Sequence, residues 1–141
     1  MPKISFFEEG LSYKLKDKTL VRKWLTNTII AEGFKLSELN YIFCSDEYLL
    51  QINQQYLDHD TYTDIITFDN SEEEGLIVGD IFISVERIKE NAGKYAVTET
   101  HEMHRVMVHG ALHLLGYKDK SAADKKKMTL KEDHYLGERG F

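Results

Sequence analysis

Cysteine and proline are nearly absent: Cys44 and Pro2 stand alone among 141 residues. A lone cysteine forms no internal disulfide and builds no cysteine-based zinc site. A lone proline excludes collagen-like and Pro-rich linker segments. Long apolar runs are also missing. None approaches the roughly 20 residues of a membrane span, and the first nine residues lack the make-up of a signal peptide. A cytoplasmic, reducing compartment without a membrane partner is therefore expected. Positive charge is in deficit too, with 18 Lys and Arg against 24 Asp and Glu, a formal net charge of −6. That balance excludes a protein that coats nucleic acid by bulk charge, and no DNA partner is expected.

What is present describes a globular chain. Hydrophobic residues make up 42% and aromatics 11%, too much for disorder. The length suits one domain over residues 1–141. A chain of this size buries about two-thirds of the surface it exposes when unfolded. Charge is unevenly spread. Asp58, Asp60, Asp64 and Asp69 precede Glu72, Glu73 and Glu74, whereas six lysines (118, 120, 125, 126, 127 and 131) face only Asp119 and Asp124 between Lys118 and Lys131. Such a lysine run is either a solvated helix face or a binding patch.

Hydrophobic spacing predicts a helix from about Asp17 to Glu32, with Gly33 as its C-terminal stop. A strand is expected over Leu39 to Cys44, then a helix capped by Ser45 with Asp46 and Glu47 at its positive end. Two strands, 63–68 and 76–83, flank an acidic, Gly-ended connection and should pair antiparallel. Ser84 opens a helix to about Ala92, a long helix runs from about Thr98 to Leu115, and a lysine-rich helix occupies about Ala122 to Leu136. Helices and strands mix without strict alternation. The expected class is α+β: a small mixed four-stranded sheet covered by about five helices, with a metzincin-like metal site on one of them.

That site is sought in the segment His109-Gly110-Ala111-Leu112-His113-Leu114-Leu115-Gly116-Tyr117-Lys118-Asp119. His109 and His113 stand four apart on a predicted helix, so both imidazoles project from one face, as a shared metal ion requires. Gly116 can adopt the left-handed conformation that ends the helix. The returning chain could then supply Asp119 as a third ligand. Two histidines and one aspartate leave a tetrahedral position open, the pattern of catalytic zinc, with chemistry through metal-bound water. His101 lies eight residues before His109, about 12 Å along the axis, too far to share that ion with His113. His59 and His134 have no motif around them and are read as surface residues. The spacing is that of a metzincin, but Gly110 stands where a His-Glu-x-x-His peptidase places its general base, so peptide hydrolysis is disfavoured.

The segment from His109 to Tyr117 resembles the signature of the YbeY family of bacterial rRNA-maturation endoribonucleases. The resemblance extends to Asn53-Gln54-Gln55-Tyr56, to residues 63–68 and to residues 79–84, covering about residues 35 to 135. It implies metal-dependent cleavage of single-stranded RNA, in maturing the 3′ end of small-subunit (16S) ribosomal RNA and in ribosome quality control. Implied partners are ribosomal particles, with ribosomal proteins or assembly factors as further candidates. One Zn2+ per chain is expected, since carboxylate oxygen also binds zinc; most family members carry histidine where this chain has Asp119, and two histidines with one carboxylate make another divalent transition metal the alternative. The family's usual arginine is Leu57 here, and its usual proline is Tyr62. Lys118, Lys125, Lys126 and Lys127 are the candidates for replacing that arginine at RNA phosphates. Asp64 and Asp80 are candidate general bases or structural hydrogen-bonding groups. Two rivals remain: a metal-dependent hydrolase or peptidase of other specificity, and a non-catalytic ribosome assembly factor.

Overall fold

The computed structural model describes residues 2–57 and 62–141. Their elements run β1 (Lys3–Glu9), α1 (Lys18–Ala31), β2 (Lys35–Cys44), α2 (Asp46–Leu57), β3 (Ile65–Asp69), β4 (Leu76–Ser84), α3 (Val85–Tyr95), α4 (Glu99–Leu114) and α5 (Ala122–Gly137). The sheet has four strands in the order β1-β2-β4-β3. β1 and β4 flank β2 in parallel, and β3 pairs antiparallel with β4. The expected mixed sheet and five helices are thus present, as is the expected hairpin. The strand over residues 3–9 is an addition. It lies at the sheet edge, and Ile4 is its one fully buried residue, so it lacks the apolar alternation that marks a strand in sequence.

Alternation in the inner strands divides the sheet into two unequal faces. Leu39, Tyr41 and Phe43 of β2, with Ile77, Ile81 and Ile83 of β4, enter the main core with side chains of α1, α3, α4 and α5. Cys44, Ile66 and Phe82 meet Leu49 and Ile52 of α2 on the other face. The main face receives α4 very closely. A methyl group at Gly110 would come within 2.9 Å of Ile65 Cδ1 and 3.1 Å of Ile81 Cδ1, so any larger residue here would push both isoleucines aside. The Tyr41 hydroxyl donates to the Met107 carbonyl at 2.8 Å and fixes α4 along the sheet.

Ser84 joins β4 to α3. Its buried Oγ accepts from the Arg87 amide at 3.2 Å and donates to Asp46 Oδ1 at 3.2 Å, while Arg87 pairs with Asp46 at 3.0 Å. On the far side of the core the Trp24 indole donates to the Tyr135 carbonyl at 2.7 Å, tying α1 to α5. Trp24, Phe141 and the Arg139 guanidinium surround His104, and Arg139 donates to its Nδ1 at 2.8 Å. Burial first, then the charges of Arg139 and His101, push the His104 imidazole down to about 4.

Ser84→Ala removes an N-cap and should destabilise the fold by about 1–2 kcal/mol, read as a lower denaturation midpoint; an unchanged midpoint would refute the capping role. His104 gives a pH signature. Its proton is taken up by the unfolded chain near pH 6.5 and by the folded chain only near 4. The stability from keeping it neutral is therefore complete above 6.5 and lost as pH falls toward 4, up to about 3 kcal/mol. His104→Gln keeps an acceptor for Arg139 and does not titrate. The stability gap between wild type and this variant should shrink between pH 7 and 4.5, and parallel pH curves would exclude His104 as the source.

Candidate metal centre

α4 carries Glu102, Arg105, His109 and His113 at intervals of three, four and four residues, a single stripe along the helix. Because Gly110 faces the sheet, the adjoining His109 is turned away from it, toward α5 and the chain that follows α4. The helix then ends as the motif requires. Gly116 adopts φ +102°, its amide donates to the His113 carbonyl at 3.0 Å, and the Tyr117 amide donates to the Leu112 carbonyl at 3.1 Å. This paired reversal of hydrogen bonds is a Schellman stop.

The reversal brings Asp119 back over the two histidines. Asp119 Oδ2 lies 3.2 Å from His113 Nε2 and 3.6 Å from His109 Nε2. One ligand atom from each of the three residues lies within 4.8 Å of the other two, the one such group of His, Cys, Asp and Glu among the described residues. The imidazole rings stand nearly perpendicular, with centroids 4.6 Å apart. Two nitrogens and a carboxylate oxygen converging in this way are a donor set that suits zinc and other divalent transition ions.

A fourth side chain orients the first histidine. Glu132, buried on α5, places Oε2 2.6 Å from His109 Nδ1. Arg105 clamps the other oxygen of Glu132 at 2.7 Å and reaches Asp133 at 2.6 Å. With its Nδ1 proton donated to Glu132, His109 keeps the Nε2 lone pair for the site, as carboxylate-supported metal histidines do. Burial lowers the His109 imidazole, but the Glu132 hydrogen bond and charge, with Asp119 and Asp64, hold it above its ordinary value.

A second anchor secures the turn. Glu32, at the end of α1, accepts from Tyr117 at 2.5 Å, from Lys131 at 3.1 Å and from the Tyr135 hydroxyl. Burial opposes its ionisation, yet those three donors hold the Glu32 carboxyl below the usual carboxylate range. Lys127 and Lys131 place their ammonium groups 5.5 and 5.7 Å from the Tyr117 ring centre.

The other residues singled out in the sequence are dispersed. Asp64 borders a cleft of about 440 Å³ that also reaches His109, Glu132 and Arg105. Asp80 lies elsewhere: it accepts from Asn40 at 3.0 Å and from Asn70 at 3.1 Å, a structural bridge. Lys118, Lys125 and Lys126 are exposed beside the turn and on α5, with no ion pair among the described residues. Lys127 is exposed but packs on Tyr117. His101 meets Arg139 at 3.4 Å, and His134 faces Glu138 at 3.6 Å on the surface. His59 lies outside the described residues. Glu132 and Arg105 were not singled out in the sequence. Arg105 shares the helical phase of His109, which is a signal, but Glu132 is 23 residues away on another helix.

Comparison with known proteins places these features in context. Residues 5–140 match the family described as Endoribonuclease YbeY. A Cytophaga hutchinsonii protein named Endoribonuclease YbeY is 54% identical over 138 residues, 98% of this chain and 96% of its own length. A Flavobacterium psychrophilum protein of the same name is 50% identical over 130 residues, 92% of each chain. The solution structure of a Thermotoga maritima protein superposes with a TM-score of 0.65 at 28% identity, covering 95% of this chain and 88% of that one.

Proposed function

The chain belongs to the YbeY family of metal-dependent endoribonucleases, hydrolases that act on RNA, and from that premise we propose that it cleaves single-stranded RNA beside an ion held by His109, His113 and Asp119. Its proposed substrate is the 3′ end of small-subunit ribosomal RNA within ribosomal particles in the cytoplasm, and its proposed ion is zinc, one per chain. The observation that carries the site is the convergence of both Nε2 atoms on Asp119 Oδ2. When bound, a divalent ion there supplies the charge that polarises a phosphate oxygen and acidifies water. The protein's own contribution is positional. Glu132 fixes the tautomer and tilt of His109, and Arg105 prevents Glu132 from swinging away. Gly116 and the Tyr117–Glu32 bond hold the turn that presents Asp119. Asp64, on the cleft beside His109, is assigned the proton-accepting role, since Asp80 is occupied by Asn40 and Asn70.

A peptidase reading is disfavoured at residue 110, where this chain has glycine in place of the glutamate base of His-Glu-x-x-His enzymes and where a side chain would have to displace Ile65 and Ile81. Phosphate contacts are assigned to Lys118, Lys125 and Lys126, with Lys127 assisting from the face it shares with Tyr117.

Asp119→Ala should leave two imidazoles and release metal to a chelator at far lower concentration than wild type. Asp119→His should retain the ion and shift the activity profile to lower pH, because a neutral ligand raises the formal charge of the site. One tightly held metal in Asp119→Ala with unchanged activity would remove Asp119 from the site. Loss of fold and of ribosome association together would favour the assembly-factor reading. The lysines are tested by salt. Reversing Lys118, Lys125 and Lys126 to glutamate should flatten the slope of log K against log salt by about 2 for single-stranded RNA, at roughly 0.7 per phosphate contact. An unchanged slope would make these lysines a solvated surface.

A further inference from the structure

The 440 Å³ cleft beside His109 falls in the roughly 300–1,000 Å³ range of small-molecule pockets, and its lining is not that of a phosphate site. Asp64, Glu102 and Glu132 face it, and the one guanidinium present, Arg105, is already bound to Glu132 and Asp133. Glu102 is the unexplained group. It is only 5% exposed, yet neither of its oxygens has a hydrogen-bond or ion-pair partner among the described residues. Burial, and then the nearby charge of Asp64, push its carboxyl above the usual range. Its oxygens are not sealed from solvent, and Arg105 offsets part of their charge without bonding to them. Here the open side of that carboxylate is the cleft.

We infer that this cleft is a nucleobase subsite that selects guanine, with the Glu102 carboxylate accepting from the base's N1–H and N2–H groups and Tyr95 providing a stacking surface. The inference deepens the endoribonuclease reading and rests on it. A carboxylate offers two parallel acceptors, and guanine is the base whose pairing edge offers two adjacent donors. Uracil presents one N–H between two carbonyls, and adenine and cytosine set one amine beside a ring acceptor. Tyr95, at the end of α3, is 58% exposed on the wall of the cleft, as an aromatic that receives an unstacked base must be. An arginine side chain also carries paired donors, but Arg105 in the same cleft would repel it. The cleft adjoins His109, so a guanosine bound there is next to the bond being cut.

The test uses the full-length chain with its metal bound, isotope-labelled and titrated with GMP, IMP and UMP while backbone amide shifts are followed. GMP should bind about tenfold more tightly than UMP, the discrimination expected of one bidentate contact. IMP, which lacks the N2 amine, should fall between them, and shifts should centre on Glu102 and Tyr95. Glu102→Gln should bring GMP to the affinity of UMP, whereas Tyr95→Ala should weaken all three alike. Equal binding of the three nucleotides to wild type would overturn the inference without any variant being made. A GMP preference that survives in Glu102→Gln would do the same, as would displacement of GMP by arginine methyl ester at equal concentration. No cleavage occurs in this assay. Its failure therefore leaves the endoribonuclease reading intact, and loss of RNA cleavage in a chain that still prefers GMP would count against that reading alone.

Discussion

The close seat of α4 on the sheet governs the rest of the molecule. Gly110 lets the helix approach Ile65 and Ile81 closely enough that a side chain there would displace them, and the buried Tyr41 hydroxyl fixes its position along the axis through Met107. Once that face is set, helical geometry leaves no freedom for the remainder. Met107, Ala111 and Leu114 go inward, and Glu102, Arg105, His109 and His113 follow one another along another face. The candidate site is therefore mounted on a helix packed deep in the core, where ligand placement is more precise than on a loop.

The third ligand and the supporting carboxylate are brought to that helix by different means. Asp119 arrives locally, through a hydrogen-bonded reversal at Gly116 completed within a few residues. Glu132 arrives through tertiary packing of α5, which buries Met128, Glu132, Tyr135 and Leu136 on one side. The same helix directs Lys125 and Lys126 to solvent. Thus α5 closes one wall of the site through Glu132 and leaves its lysines on the outer surface. Its capping box, formed by Ser121 and Asp124, fixes where that helix begins and so the distance between Asp119 and Glu132.

How much of this could be read from the chain alone follows from range. His109, His113, Gly116 and Asp119 lie within eleven residues, and each relation among them is fixed by helix period or by backbone conformation. Their convergence was therefore legible. The cap at Ser84 was legible for the same reason. Glu132, Arg105 and Glu102 were not, because an acid or a cation on an amphipathic helix has no sequence mark separating a buried partner from a solvated one. Asp64 and Asp80 looked equivalent in sequence, and only the sheet register, which sets Asn40 opposite Asp80, told them apart. β1 escaped notice because an edge strand with one buried residue carries almost no periodic signal.

The carboxylate of Glu32 gathers Tyr117, Lys131 and Tyr135 at one point, so the turn bearing Asp119 and the helix bearing Glu132 share a fastening to α1. Segments fastened at one point open together, as a single cooperative unit below the cost of global unfolding. Any ligand that joins His109 and His113 to Asp119 must then resist that opening, and by thermodynamic linkage the docked C-terminal helix must in turn tighten the ligand's hold. Proteolytic resistance of residues after Gly116 should then rise with occupancy of the site.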